Sequence, residues 1–138
     1  MDIWKSYKFE ERTNYSKKIE KVLNDIGNQL QTKTKNILTY QIDYMVGEKG
    51  EDCHIFYIKC PISTYKKKIF IITVLDGKIS FWDIFGDHTY DNPPDEFSDV
   101  KEIIGRIETQ IGSEPTKSII ESLYKQTLLV HNSNKDNL

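Results

Sequence analysis

The strongest hydrophobic pattern in this chain lies on either side of Asp76-Gly77, in the stretch KKKIFIITVLDGKISFWDIF from Lys66 to Phe85. Both flanking runs are rich in β-branched and aromatic residues. Asp-Gly is a pair that tolerates the positive φ angles of a two-residue type I′ turn. The pattern therefore predicts a β-hairpin whose turn holds only these two residues. The predicted cross-strand pairs are Leu75–Lys78, Val74–Ile79, Ile72–Phe81 and Phe70–Asp83.

Side chains alternate across a strand, so this register sorts the hairpin into two faces. The first is a core face, made of Phe70, Ile72, Val74, Ile79 and Phe81. The second is more mixed, and it carries Ile69, Ile71, Thr73, Leu75, Ser80, Trp82 and Ile84. An apolar run that continues through both faces indicates a strand covered on both sides. We expect either one of the protein's own helices or the surface of a partner to cover this second face.

Two further strands precede the hairpin. Residues 37–46 alternate between apolar and polar, as expected of a strand with one exposed face. Residues 53–60 form the next strand, which stops at Pro61 because proline cannot donate to a sheet. Four successive strands with short links predict an antiparallel meander.

Helical spacing of apolar residues appears before and after these strands. An amphipathic helix is predicted from Tyr15 to Leu30. A second helix, capped by Asp95 or Ser98, is predicted to end at Gly112, and a third to start at Ser113-Glu114-Pro115, with the proline in its first turn. The predicted fold is therefore α+β: a four-stranded antiparallel meander packed with an N-terminal amphipathic helix and two C-terminal helices. Residues 1–130 form a single domain in this prediction, and residues 131–138 form a polar C-terminal tail.

Composition narrows the functional classes. The chain has 138 residues and a net charge of −2, with 29% charged residues, so its overall charge favours neither nucleic acid nor a membrane surface. The sequence has no apolar run long enough to span a bilayer and no recognisable secretory signal. Cys53 and Cys60 are expected to be free thiols. These features predict a cytoplasmic protein, and the absence of alanine indicates an AT-rich, bacterial-type coding sequence.

Motifs for catalysis or cofactor binding are absent from the sequence. His54, His88 and His131 are scattered over a predicted strand, a loop and the tail, and no metalloprotease, phosphate-loop, dinucleotide or nucleophile-elbow motif occurs. Four converging zinc ligands are not available from these positions. We therefore expect a protein that is not an enzyme and that uses no cofactor and no metal.

The one dense polar cluster lies between residues 83 and 102, where seven acids stand against one base, Lys101. The acids are Asp83, Asp87, Asp91, Asp95, Glu96, Asp99 and Glu102. Three interpretations of this cluster are open. It is a solvated loop whose acids complement a helix N-terminus, or it is a surface for a basic partner. The third interpretation is a divalent-metal or hydrolytic site built from Asp87, His88 and Asp91. The expected partner-binding residues are Trp82, Asp83, Asp87, His88, Tyr90, Asp91, Asp95 and Glu96.

The layout of one helix, a meander with the turn sequence LDGKISFW, and then helices resembles the XisI family of excision-controlling factors over residues 19–97. Small immunity proteins of bacterial toxin systems resemble this chain in type, being compact, acidic and without catalytic motifs. The first functional hypothesis is a small bacterial immunity or inhibitor-type protein that binds another protein, such as a basic toxin, through the acidic loop-helix surface. The alternative is a homodimeric structural or small-ligand-binding domain that pairs through the second hairpin face, with an XisI-like accessory factor as a variant.

Overall fold

The computed structural model of this chain describes residues 2–6, 14–86, 88 and 91–136. In these ranges the chain forms three helices and five strands. In order they are α1 (Asn14–Lys33), β1 (Thr39–Val46), β2 (Asp52–Lys59), β3 (Lys66–Leu75), β4 (Lys78–Asp83), β5 (Asp95–Phe97), α2 (Val100–Ile111) and α3 (Glu114–Asp136). The strands form one antiparallel sheet in the order β1-β2-β3-β4-β5. The predicted α+β fold, with its meander and its N- and C-terminal helices, is confirmed.

The hairpin that joins β3 and β4 has the predicted turn and register. Asp76 has φ 51° and Gly77 has φ 75°, so both turn residues are left-handed, as a type I′ turn requires. All four predicted pairs are present, from Leu75–Lys78 at the turn to Phe70–Asp83 at the far end. The predicted core face is also confirmed, because each of its five residues is at most 3% exposed.

All three helices pack on that core face. Ile19 and Leu23 of α1, Ile107 of α2 and Leu123 of α3 belong to one buried cluster with the sheet. At its centre three phenylalanine rings stand side by side on β2, β3 and β4, with neighbouring centroids 5.1 Å apart. None of the described helices therefore covers the second hairpin face, and the expectation that one of them does is wrong.

A β-bulge changes the assignment of one residue. Phe56 pairs with Phe70, but the next residue, Tyr57, pairs with Lys68, so Ile69 is the extra residue of β3. The prediction placed Ile69 on the second face, whereas it is 1% exposed and lies in the core cluster. Strict alternation fails here because the bulge turns two successive side chains, Ile69 and Phe70, to the same side.

Two local predictions after the hairpin also need correction. Asp95–Phe97 form the short strand β5, which pairs with β4, where the sequence predicted a loop and a helix start. The N-cap of α2 is Asp99, whose carboxylate accepts a 2.9 Å hydrogen bond from the Glu102 amide, and neither Asp95 nor Ser98 has this role. Gly112 ends α2 as predicted. Helix α3 continues to Asp136, through most of the predicted tail.

Among the described residues, no helix has both the length and the apolar character needed to cross a membrane.

Candidate functional site

The face of the sheet opposite the helices carries a row of apolar side chains. Ile55, Ile71 and Trp82 are direct neighbours on the three central strands, β2, β3 and β4. The register places further residues on this side, and we call the whole surface the open face. It includes Met45, Cys53, Tyr57, Thr73, Leu75 and Ser80. No described helix covers it, and the three side chains of its central row are partly buried.

Trp82 is held in place on the open face by two contacts. Its indole Nε1 donates a 3.1 Å hydrogen bond to Oγ1 of Thr73 on the neighbouring strand. The ring of His88 meets the indole edge-on, with centroids 5.3 Å apart. The loop after β4 thus returns to the sheet and brings together two residues that the sequence selected as partner contacts.

Charges of both signs border the open face. Glu96 lies at the β5 edge, opposite Ser80 of β4. Lysines occupy the far corner, where Lys66 makes a 3.7 Å salt bridge to Asp43 and lies 4.4 Å from the centroid of the Tyr57 ring. The border of the open face therefore carries opposite charges at different places.

Cys53 is the thiol on this face. Its pKa is raised by burial and, to a smaller extent, by the negative charges of Glu51 and Asp52. The thiol is therefore kept protonated and is a weak nucleophile at neutral pH. This argues for a packing role for Cys53 rather than a catalytic one.

The acidic stretch does not form one continuous surface, because Arg106 of α2 binds two of its members. The Arg106 Nε donates to Asp95 Oδ2 at 2.7 Å, and its Nη2 lies 3.3 Å from Asp83 Oδ2. The guanidinium also lies 4.3 Å from the centroid of the Phe81 ring. Asp83 and Asp95 therefore contribute to the fold on the helix side of the sheet, as Asp99 does by capping α2.

The predicted partner-binding residues thus fall into separate groups. Trp82, His88 and Glu96 lie on or beside the open face, whereas Asp83 and Asp95 meet at Arg106. Asp91 is exposed in the loop. Asp87 and Tyr90 lie outside the described residues, and so does the centre of the metal or hydrolytic site suggested for Asp87, His88 and Asp91. Within the described part of the chain, no three acidic, histidine or cysteine side chains converge as metal ligands do.

A buried Ser-His pair was not foreseen from the sequence. The Ser16 hydroxyl of α1 and Nε2 of His54 on β2 are 2.7 Å apart, a distance typical of a nucleophile and its base. Both residues are 0% exposed, so a substrate cannot reach them, and the pair joins α1 to the sheet. The available signal was the position of His54 on the inward side of β2, where a buried imidazole needs a polar partner.

Comparison with known proteins gives no relative. No family model matches the chain, and no curated protein or solved structure is significantly similar to it. The resemblance to the XisI family is therefore a likeness of layout alone.

Proposed function

We propose that this domain is a non-enzymatic protein-binding module that contacts its partner through the open face, in the manner of an immunity or inhibitor protein. The observation that carries the proposal is the row Ile55–Ile71–Trp82, which lies at the centre of a sheet face that no described helix covers. A contiguous apolar surface with a polar border is typical of a protein interaction site. An inhibitor needs such a surface and no chemistry of its own.

Trp82 is the expected anchor of the interface. Tryptophan is enriched among the residues that dominate binding energy, and this one is oriented by Thr73 and His88 before a partner arrives. Preorganisation of this kind lowers the entropy lost on binding. We therefore place the centre of the interface at Trp82, with Ile71 and Ile55 beside it.

The charges define what the partner presents. Glu96 at one edge favours a basic group, and exposed Asp91 in the loop adds to the same sign. Lys68, near the opposite corner, favours an acidic group. The partner is thus a folded protein with an apolar patch between a basic and an acidic border, and the basic part agrees with the toxin-type partner expected from the sequence.

The test is a binding measurement with proteins encoded beside the gene of this chain. Each candidate is titrated by calorimetry with the wild type and with Trp82→Ala and Ile71→Asp. We expect both variants to weaken binding by at least about 30-fold, which corresponds to the loss of about 2 kcal/mol at a central interface residue. Lys101→Ala, an exposed change on α2, is the control and should leave affinity unchanged.

Two results would refute the proposal. If the wild type and Trp82→Ala bind the partner with equal affinity and have equal thermal stability, the interface lies elsewhere on the protein. A stable dimer of this chain alone by light scattering, converted to a monomer by Ile71→Asp, would assign the open face to a second copy and replace the inhibitor by the homodimer alternative.

A further inference from the structure

Three lysines are concentrated at one corner of the open face, on β2 and β3. Lys59 and Lys66 are direct partners across these strands, and Lys68 is paired with Tyr57 two residues before Lys59. Because side chains alternate along a strand, all three lie on the same side as Tyr57. The Lys66 ammonium is 4.4 Å from the centroid of the Tyr57 ring, in agreement with this placement. We call Lys59, Lys66 and Lys68 the lysine corner.

Most of the positive charge of the lysine corner is not compensated. Lys66 makes one salt bridge, to Asp43 at 3.7 Å. In the part of the chain that the structure describes, Lys59 and Lys68 make none. Lys59 and Lys66 also stand directly opposite each other, and like charges in such positions destabilise a sheet. An anionic group bound at the lysine corner would relieve this repulsion.

The acidic stretch brings less charge to the open face than its composition indicates. Arg106 binds Asp83 and Asp95 on the helix side of the sheet. Glu96 remains at the β5 edge, and exposed Asp91 lies in the loop. The lysine corner is therefore the largest group of like charges that the strands place on the open face, and its complement on a partner is acidic.

The surface beside the lysine corner favours a protein over a nucleic acid. Ile55 is two residues from Tyr57 along β2, about 7 Å at about 3.3 Å per residue, and it begins the apolar row with Ile71 and Trp82. Glu96 lies beyond this row. A nucleic acid is anionic along its whole length, so past the lysine corner it would meet aliphatic side chains and then a carboxylate. A folded protein can present carboxylates beside an apolar patch and match both regions.

We infer that the partner of the open face is a protein that presents a carboxylate-rich patch to the lysine corner, next to its own apolar patch. The inference rests on the proposed function and adds which charges draw the two proteins together. Since the lysine corner is at the surface, its attraction acts mainly on the association rate and weakens as salt is added.

Fluorescence anisotropy with a fluorescein-labelled deca-glutamate peptide tests the inference on the full chain, at about 10 mM salt, where charges act over about 30 Å. We expect saturable binding. Glutamine at all three positions of the lysine corner should weaken it about eightfold, which is about twofold for each surface ion pair. The matched control combines Lys17→Gln, Lys21→Gln and Lys101→Gln, which remove the same charge from exposed helix positions and should weaken binding less than about twofold. Circular dichroism establishes that both triple variants are folded.

The outcomes separate this inference from its alternatives. Absence of saturable binding, or equal losses of peptide affinity in the two triple variants, would overturn it. A labelled ten-nucleotide thymidine strand is the second probe. If it binds more tightly than the peptide and loses affinity in Trp82→Ala, its bases stack on the open face and the partner is a single-stranded nucleic acid instead.

The calorimetric titration of the proposed function keeps the two conclusions apart. A protein partner whose binding requires Trp82 but is equally fast and tight with the lysine-corner triple variant would leave the interface in place and overturn this inference alone. Peptide binding that depends on the lysine corner, with no protein whose affinity depends on Trp82, would support the acidic site and count against the proposed interface.

Discussion

Replacement of Arg106 by methionine should show that the acidic stretch is partly a structural feature. Methionine keeps most of the apolar stem of arginine, so the change removes charge more than packing. The side chains of Arg106 and Asp83 are each 19% exposed, and that of Asp95 is 58% exposed. The pair with Asp83 is thus largely shielded from water, whereas the pair with Asp95 is solvated.

The magnitude follows from these exposures. A hydrogen-bonded pair between charged groups that is mostly buried contributes about 1.5–3 kcal/mol, and a solvated pair contributes at most about 1 kcal/mol. The contact with the Phe81 ring adds about 0.5–1 kcal/mol. We therefore expect Arg106→Met to lower the free energy of unfolding by about 2–5 kcal/mol.

Urea denaturation followed by circular dichroism measures this loss. A double-mutant cycle of Arg106→Met with Asp83→Asn should give a coupling energy of about 1–2 kcal/mol, and the cycle with Asp95→Asn less than about 1 kcal/mol. Lys101→Met, an exposed change on the same helix, should stay within about 0.5 kcal/mol of the wild type. The reasoning fails if Arg106→Met is as stable as this control, or if the coupling to Asp95 exceeds the coupling to Asp83.

The remaining predictions concern four single positions. Gly77→Ala should cost about 1–2 kcal/mol of stability because φ is 75° at this position. Gly105→Ala should gain about 0.5–1 kcal/mol, because Gly105 lies in a helix with open space around it. Urea midpoints of the two variants equal to that of the wild type would contradict both predictions. Gly27→Ala should lower the melting temperature despite the better helix propensity of alanine, since its Cβ would overlap the Tyr40 ring. An unchanged melting temperature would show that the ring moves away freely. The raised pKa of Cys53 predicts slow alkylation of this thiol at pH 7.5 in the folded chain, measured with Cys60 replaced by serine, and an alkylation rate that rises only above the ordinary thiol pKa. The folded state also holds the Cys53 proton more tightly than the unfolded state does. The stability that this proton contributes is therefore lost as pH rises through the raised pKa.

Features specified by neighbouring residues could be predicted from the sequence. The turn at Asp76-Gly77 needs two left-handed residues in succession, and few pairs other than Asp-Gly or Asn-Gly supply them. Once the turn is known, alternation fixes the pairing and the core face of the hairpin. The helices follow from apolar periodicity in the same way, which is why their number and order were predicted correctly.

Features that depend on contacts across the chain could not be predicted in this way. Arg106 is 23 residues from Asp83 and 11 from Asp95, so a local count of charges left it out and overstated the acidity of the stretch. Strand β5 has only three residues, two of them acidic, and it is held by pairing with β4 rather than by its own propensity. The pair of Ser16 and His54 joins residues 38 positions apart. Each of these contacts depends on the fold, and neighbouring residues in the sequence do not identify the partner.

The bulge at Ile69 explains why one residue of the hairpin was assigned to the wrong side. In an unbroken register, Lys68 would pair with Ile58 on the core side of the sheet, whereas with the bulge Lys67 takes that position and is partly buried. The bulge makes Lys68 the partner of Tyr57 on the open face and turns Ile69 into the core instead. One inserted residue thus places an isoleucine in the core and a lysine on the border of the open face. That part of the border of the open face therefore depends on a local departure from alternation.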